Sequence, residues 1–124
     1  MKHFLQLNDI VAYKRSFALS NYVWNIVIAW SPFARNTVGS QFARATDSIS
    51  SNIAEGFGRL TKKDKINFYR ISLGSLKESL DWNEKASKRG LLSITQYQHI
   101  ITELKALPKD IYHLINFTNN RLEK

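Results

Sequence analysis

Ile66-Asn67-Phe68-Tyr69-Arg70-Ile71-Ser72-Leu73-Gly74-Ser75-Leu76-Lys77-Glu78-Ser79-Leu80 carries large apolar side chains at 66, 69, 73, 76 and 80. Alternating steps of three and four residues line all five along one side of an α-helix, the seam that helices bury against one another in bundles. Upstream, Thr61-Lys62-Lys63-Asp64 is a variant capping box: a hydroxyl for the orphan N–H groups of the first turn, with an acid three residues on. Downstream, Arg89-Gly90 supplies a basic last turn and a glycine for the left-handed residue beyond it. The spacing predicts a helix over 62–89.

The same period extends in both directions. Val38, Phe42, Ala45, Ile49 and Ile53 predict a helix over 36–55, whose other positions are small: Gly39, Ser40, Ala43, Ser48, Ser50, Ser51, Ala54. Such a surface admits another helix at close range, from the same bundle or from a second copy. Gly and Ser also weaken the helix, so packing must hold it. Gly56-Phe57-Gly58 ends it, with Gly56 expected in the left-handed position. Past Ser93 as N-cap, Ile94, Tyr97, Ile100, Ile101, Leu104, Leu107, Ile111, Leu114 and Ile115 predict a helix over 94–118, with a kink before Pro108. Ahead of the helix-stopping Ser31-Pro32, a stripe of Ile10, Tyr13, Phe17, Trp24 and Val27 is widened by Leu19, Val23, Ile26 and Trp30. It predicts a helix over 9–30, capped by Asn8 and buried on more than one side. No segment alternates with period two over strand length. Four long helices joined by three short connections make one all-α domain over 1–124, an antiparallel up-and-down four-helix bundle.

Composition limits what such a bundle does. Cysteine is absent, which excludes disulfides and thiolate metal sites. The longest apolar run, Tyr22 to Trp30, is interrupted by Asn25 and is half of the about twenty residues a membrane span needs. Met1 to Asn8 lacks the apolar centre of a secretory leader, so a cytoplasmic protein with no membrane role is expected. Eighteen Lys and Arg against ten Asp and Glu give a net charge of +8 and favour polyanionic partners.

Catalytic patterns are missing. No serine lies in a nucleophile elbow. Of the histidines, His3, His99 and His113, His99 stands four residues before Glu103 and His113 lies about four turns further on, but the paired Glu-x-x-His pattern of bundle metal sites does not occur. Glu78, Asp81 and Glu84 rotate around their helix beside Lys77, Lys85 and Lys88, which reads as a solvated face rather than a nuclease cluster. We expect no enzymatic activity, no cofactor and no metal.

Two features stand out. Arg59, Lys62, Lys63, Lys65 and Arg70 against the single acid Asp64 give +4 within twelve residues, half the net charge. Lysines in a first turn oppose the helix dipole, yet with free N–H groups and a glycine turn they suit a phosphate. The second feature is the polar line Arg44, Ser48, Ser51, Glu55, with Asn52 nearer the core. Its members need partners, and Arg44 with Glu55 or Glu78 is the natural pairing, within the bundle or between protomers.

The run Ser48-Ile49-Ser50-Ser51-Asn52-Ile53-Ala54-Glu55-Gly56-Phe57-Gly58-Arg59, with Gln41 and Arg44 upstream and Gly74-Ser75-Leu76-Lys77-Glu78 downstream, resembles the 23S rRNA intervening-sequence protein family of four-helix-bundle proteins. The resemblance covers nearly the whole chain. It implies antiparallel bundles that assemble into rings, typically homopentamers, encoded in bacterial genomes and without enzymatic activity. Similarity also extends to the basic accessory rings of diversity-generating retroelements, which bind nucleic acid and a reverse transcriptase. Gln41, Arg44, Ser51, Asn52, Glu55 and Glu78 would then be structural or interface polar residues. Two departures matter. Ala43 stands where the family often has a first arginine, which shifts phosphate binding toward Arg59, Lys62, Lys63, Lys65 and Arg70. Ser50 replaces a common proline, so the second helix should run on unbroken. The expectation is a basic homo-oligomer whose partner is nucleic acid, RNA favoured; the alternative is a scaffold for a protein such as a reverse transcriptase, anchored by aromatics such as Phe57 or Trp82.

Overall fold

The computed structural model describes residues 5–121, and every helix in it runs antiparallel to its neighbours in the bundle. Helix α1 is Val11–Val27. Helix α2 spans 32–57 in three contiguous pieces: α-helical Pro32–Ala34, a π-helical turn Arg35–Gly39, and α-helical Ser40–Phe57. Helix α3 is Lys62–Lys88 and α4 is Ile94–Arg121. Helix α2 packs on α1 and α3, and α4 on α3 and α1, so α1 and α3 stand across the diagonal of the bundle. No strand occurs among the described residues.

The ends of α3 and α4 obey their sequence signals. Thr61 accepts from the Asp64 N–H at 3.1 Å, and Gly90 takes a φ of +72° just past α3. Ser93 Oγ accepts from the Gln96 N–H while Gln96 Oε1 accepts from the Ser93 N–H, a reciprocal capping box. Helix α4 passes through Pro108 as one helix and continues three residues past the predicted end, where Thr118 is buried and donates to the Leu114 carbonyl.

The first half of the chain departs more. Asn8 does not cap α1: it lies inside a 3-10 turn, Leu7–Asp9, tightened by the Asp9 carboxylate accepting from the Gln6 N–H at 2.8 Å. Helix α1 ends at Val27, and shorter i→i+3 bonds carry the chain to Trp30. Its core line is Ala12, Ser16, Leu19, Val23 and Val27, whereas Phe17 and Trp24 are each 52% exposed. The broad apolar stripe is therefore one buried line plus an outer line that this chain leaves uncovered. Pro32 opens α2 instead of merely stopping α1, because its missing N–H is no loss in a first turn.

Gly56 also serves a different purpose from the one its position suggests. It stays helical, and no left-handed glycine other than Gly90 occurs among the described residues. A Cβ there would lie 2.7 Å from the Tyr69 ring and 3.0 Å from the Lys65 carbonyl oxygen, so the hydrogen is what lets α2 and α3 close up. Ser72, directly below on α3, donates to the Ile49 carbonyl at 2.8 Å across the same contact. The buried line of α3 is Tyr69, Ser72, Leu76, Ser79, Asn83 and Ala86, with Ile66, Leu73 and Leu80 at its edges. Against it pack Phe42, Ile49, Ile53, Ile100, Leu104, Leu107 and Ile111, all fully buried, each worth about 1.5–3 kcal/mol in burial. On the far side of the core, Arg15 of α1 reaches Glu103 at 3.0 Å and Asp110 at 3.2 Å on α4.

Candidate nucleic-acid interface

The basic residues predicted to act together fall into two groups. Arg59 Nε pairs with Glu55 at 3.0 Å, and its guanidinium lies 4.5 Å over the Phe68 ring. Lys65 Nζ donates to the Phe57 carbonyl at 2.7 Å, which ties it to the last turn of α2. Burial lowers the Lys65 pKa, but the bonded helix-end carbonyl favours the ammonium form and keeps the cation useful there. These two side chains staple the α2–α3 turn.

Lys62, Lys63 and Arg70 do something else. Together with Asp64, Ile66, Asn67 and Asn119 they line an open groove of about 780 Å³ between the start of α3 and the end of α4. Lys62 Nζ donates to the Asn119 carbonyl at 3.1 Å, which fixes one wall. Lys63 and Arg70 are exposed and enter no ion pair among the described residues. Three cations and two asparagines share the groove with a single carboxylate.

The basic surface also continues where sequence reasoning stopped. Lys77 and Lys88, read as partners for the acids of α3, pair with none among the described residues; only Lys85 does, with Asp81 at 2.6 Å. Residues 63, 70, 77 and 88 are all exposed and fall within one outer face at helical spacing, which from residue 78 on they share with the exposed acids Glu78, Asp81 and Glu84. From 63 to 88 that face is about 38 Å long. The signal was in the sequence as steps of seven from Lys63 to Arg70 to Lys77 and of eleven to Lys88, hidden by neighbouring acids.

The polar line on α2 makes only local bonds. Arg44 donates to Gln41 at 2.9 Å and reaches neither Glu55 nor Glu78, because Glu55 lies about 16 Å further along the axis and is taken by Arg59. Glu78 accepts from the Trp82 indole N–H at 3.2 Å. Asn52 donates to the Ser48 carbonyl at 2.7 Å, and Ser51 is exposed. These residues form no network inside the bundle. His99 packs on Tyr22 in a tilted contact with ring centroids 4.3 Å apart, while Glu103 belongs to Arg15. No three His, Asp or Glu side chains come together as a metal set among the described residues, and no helix is long and apolar enough to cross a membrane.

Helix α1 carries a second surface. Tyr13, Phe17, Trp24 and Ile28 follow one another at helical spacing, the last three 52%, 52% and 47% exposed. Ser20, on the same side, donates to Asp47 of α2, so this apolar line borders the α1–α2 seam. The seam's α2 side offers the exposed or half-exposed small residues Ser40, Ala43 and Ser51.

The family model described as 23S rRNA-intervening sequence protein matches residues 8–113. Among solved structures, the chain is similar to a protein of unknown function from the S23 ribosomal protein family of Bacteroides thetaiotaomicron. That similarity has a TM-score of 0.75 at 23% identity, covering 85% of this chain and 98% of the other. At that identity the likeness speaks for the fold. A comparison with the curated proteins gives no match.

Proposed function

The chain belongs to the 23S rRNA-intervening sequence protein family, and on that footing we propose that it is a non-enzymatic, homo-oligomeric module that binds RNA. The observation that carries this reading is the groove of Lys62, Lys63 and Arg70 opening onto the exposed cationic face of α3. Lys63 and Arg70 there are exposed and outside any ion pair among the described residues, which is what a phosphate chain needs and what an internal staple does not.

Self-association uses the opposite corner. The apolar line Phe17, Trp24, Ile28 on α1 is the surface a second copy would cover, beside small residues of α2 that allow close approach. Since α1 and α3 stand across the bundle diagonal, assembly through α1 leaves every α3 face open. A ring of five copies would then repeat one modest phosphate site several times, and avidity replaces strength at any single site.

The test is fluorescence anisotropy of a labelled structured RNA at about 50 and 200 mM salt, for the wild type and for a Lys62→Ala, Lys63→Ala, Arg70→Ala variant of unchanged helix content and oligomeric mass. Binding that weakens with salt and with the triple change supports the reading. Binding indifferent to all three side chains moves the site elsewhere, and no binding at low salt leaves a scaffold for a protein partner as the better account.

A further inference from the structure

At the other end of α3 lies a cavity that the phosphate groove does not explain. It measures about 620 Å³, within the range of small-ligand pockets, and is bounded by Phe33, Asn36 and Gln41 of α2, Trp82 of α3, and Arg89 and Leu91 beyond it. Phe33 is 82% exposed, an expensive position for a phenyl ring with no ring partner among the described residues. Trp82 is held in place: its indole N–H bonds Glu78, and Lys85 Nζ lies 4.7 Å over its ring. The α2 wall includes the π-helical turn Arg35–Gly39, a deformation that costs regular hydrogen bonding and recurs at functional sites. Gly39 permits the turn, since a Cβ would lie 2.7 Å from Val27 and 3.3 Å from Trp30.

We propose that this pocket takes one unpaired nucleotide of the RNA whose phosphates lie on α3; the proposal rests on the RNA-binding reading above. Its chemistry matches a nucleotide part by part. Two aromatic rings offer stacking surfaces, as single-stranded bases require. Asn36 and Gln41 present planar amides, and because Gln41 Oε1 already accepts from Arg44, its NH₂ is left to donate to a base acceptor. Arg89 lines the pocket, without an ion pair among the described residues and with no carboxylate in the lining, and Arg35 and Lys88 are the sequence neighbours of lining residues. That charge favours a nucleotide over an acid-free apolar peptide. The exposed cations at 63, 70, 77 and 88, with Glu78, Asp81 and Glu84 between the last two, run from groove to pocket over about 38 Å of helix.

The measurement compares two labelled RNA hairpins with stems of about twelve base pairs, one blunt and one bearing a short unpaired tail, on the full chain. Wild type should bind the tailed hairpin about tenfold more tightly. Phe33→Ala and Arg89→Ala, both at exposed positions and checked for unchanged melting, should abolish that preference and leave the blunt hairpin's affinity as it was. Equal affinity of wild type for both hairpins overturns the proposal, as does a tail preference that survives Phe33→Ala; a pocket made for a protein segment gives the first of these results. If the blunt hairpin fails to bind, the α3 phosphate reading falls by itself, and Phe33-dependent binding of the tail as a free single strand still supports the pocket.

Discussion

The inner face of α3 packs against a glycine of α2 and its outer face holds a glycine of its own, and the two obey opposite rules. Facing inward, Tyr69 fills the space left by Gly56 of α2, so tightly that a methyl group there would lie 2.7 Å from its ring. Facing outward, Gly74 sits mid-helix with nothing within 4 Å of where a Cβ would stand. The inner face is solved within one chain: small residues, one cross-helix hydroxyl bond, dense packing. The outer face carries Lys63, Arg70, Lys77 and Lys88 without an ion pair among the described residues, and a glycine without a packing reason. A face that folding does not account for is where function is to be sought, and substitutions on the two faces should separate stability from binding.

The largest effect belongs to the inner contact. Gly56→Val forces two methyl groups against the Tyr69 ring and the Lys65 backbone, and neither can withdraw without opening α2 from α3. We expect a loss of about 3 kcal/mol and a fall in melting temperature of about 10 °C or more, read by circular dichroism. A variant that melts with the wild type would show that α2 and α3 are not held at this distance.

Next in size is the split within the basic turn. Replacing Lys62, Lys63 and Arg70 with alanine should weaken RNA binding about a hundredfold and make the salt dependence shallower by about 2–3 in log–log slope, with little change in melting. Arg59→Ala with Lys65→Ala should do the reverse. It breaks an exposed ion pair and a charged bond to a helix end, costing about 1–2 kcal/mol together, and leaves RNA affinity within about twofold. If both variants lose affinity equally, the division between stapling and free cations is wrong.

This division was not legible in the sequence, and the reason is geometric. The bundle itself was, because apolar spacing and capping signals act over a few residues: Thr61, Gly90 and Ser93 each stand where their chemistry requires. Charge density along the chain, by contrast, says how many cations are near one another but not where their ends go. Arg59 and Arg70 count equally in such a sum, yet one meets Glu55 and the other faces solvent. Phe17 and Trp24 misled for a related reason: periodicity marks an apolar line without saying whether its cover lies in the same chain. Phe33 and the π-helical turn left no periodic signal at all, since both arise where Gly39 lets α2 close on the end of α1.

The inner face also predicts a response to alkali. Burial pushes the Tyr69 phenol up to about 12, partly offset by the Thr118 hydroxyl beside it. The unfolded chain releases this proton near pH 10, the folded chain later, so the folded state binds more protons between those values. Its contribution to stability is thus full below about pH 10 and is lost as pH rises toward about 12. Tyr69→Phe has no such proton, and its stability measured by urea unfolding should fall less between pH 9 and pH 11 than the wild type's. An identical decline in the two proteins would mean that Tyr69 is not sealed in the core.

The smallest effect is the most telling about the outer face. Alanine in place of Gly74 meets nothing in the chain and removes backbone entropy that the helix must otherwise overcome, so Gly74→Ala should stabilise the protein by about 0.5–1 kcal/mol and raise its melting temperature by about 4 °C at most. Such a gain makes the glycine a cost within the single chain. Gly74 lies between Arg70 and Lys77 on the cationic face, where an RNA backbone drawn against α3 would pass closest to the helix. The same methyl group should therefore raise the melting temperature and weaken RNA binding by a few-fold, two changes of opposite sign from one substitution. A variant that is more stable and binds as well as wild type would leave the glycine to some other close approach, and the phosphate path would then run along the flank lined by Lys62 and Asn119.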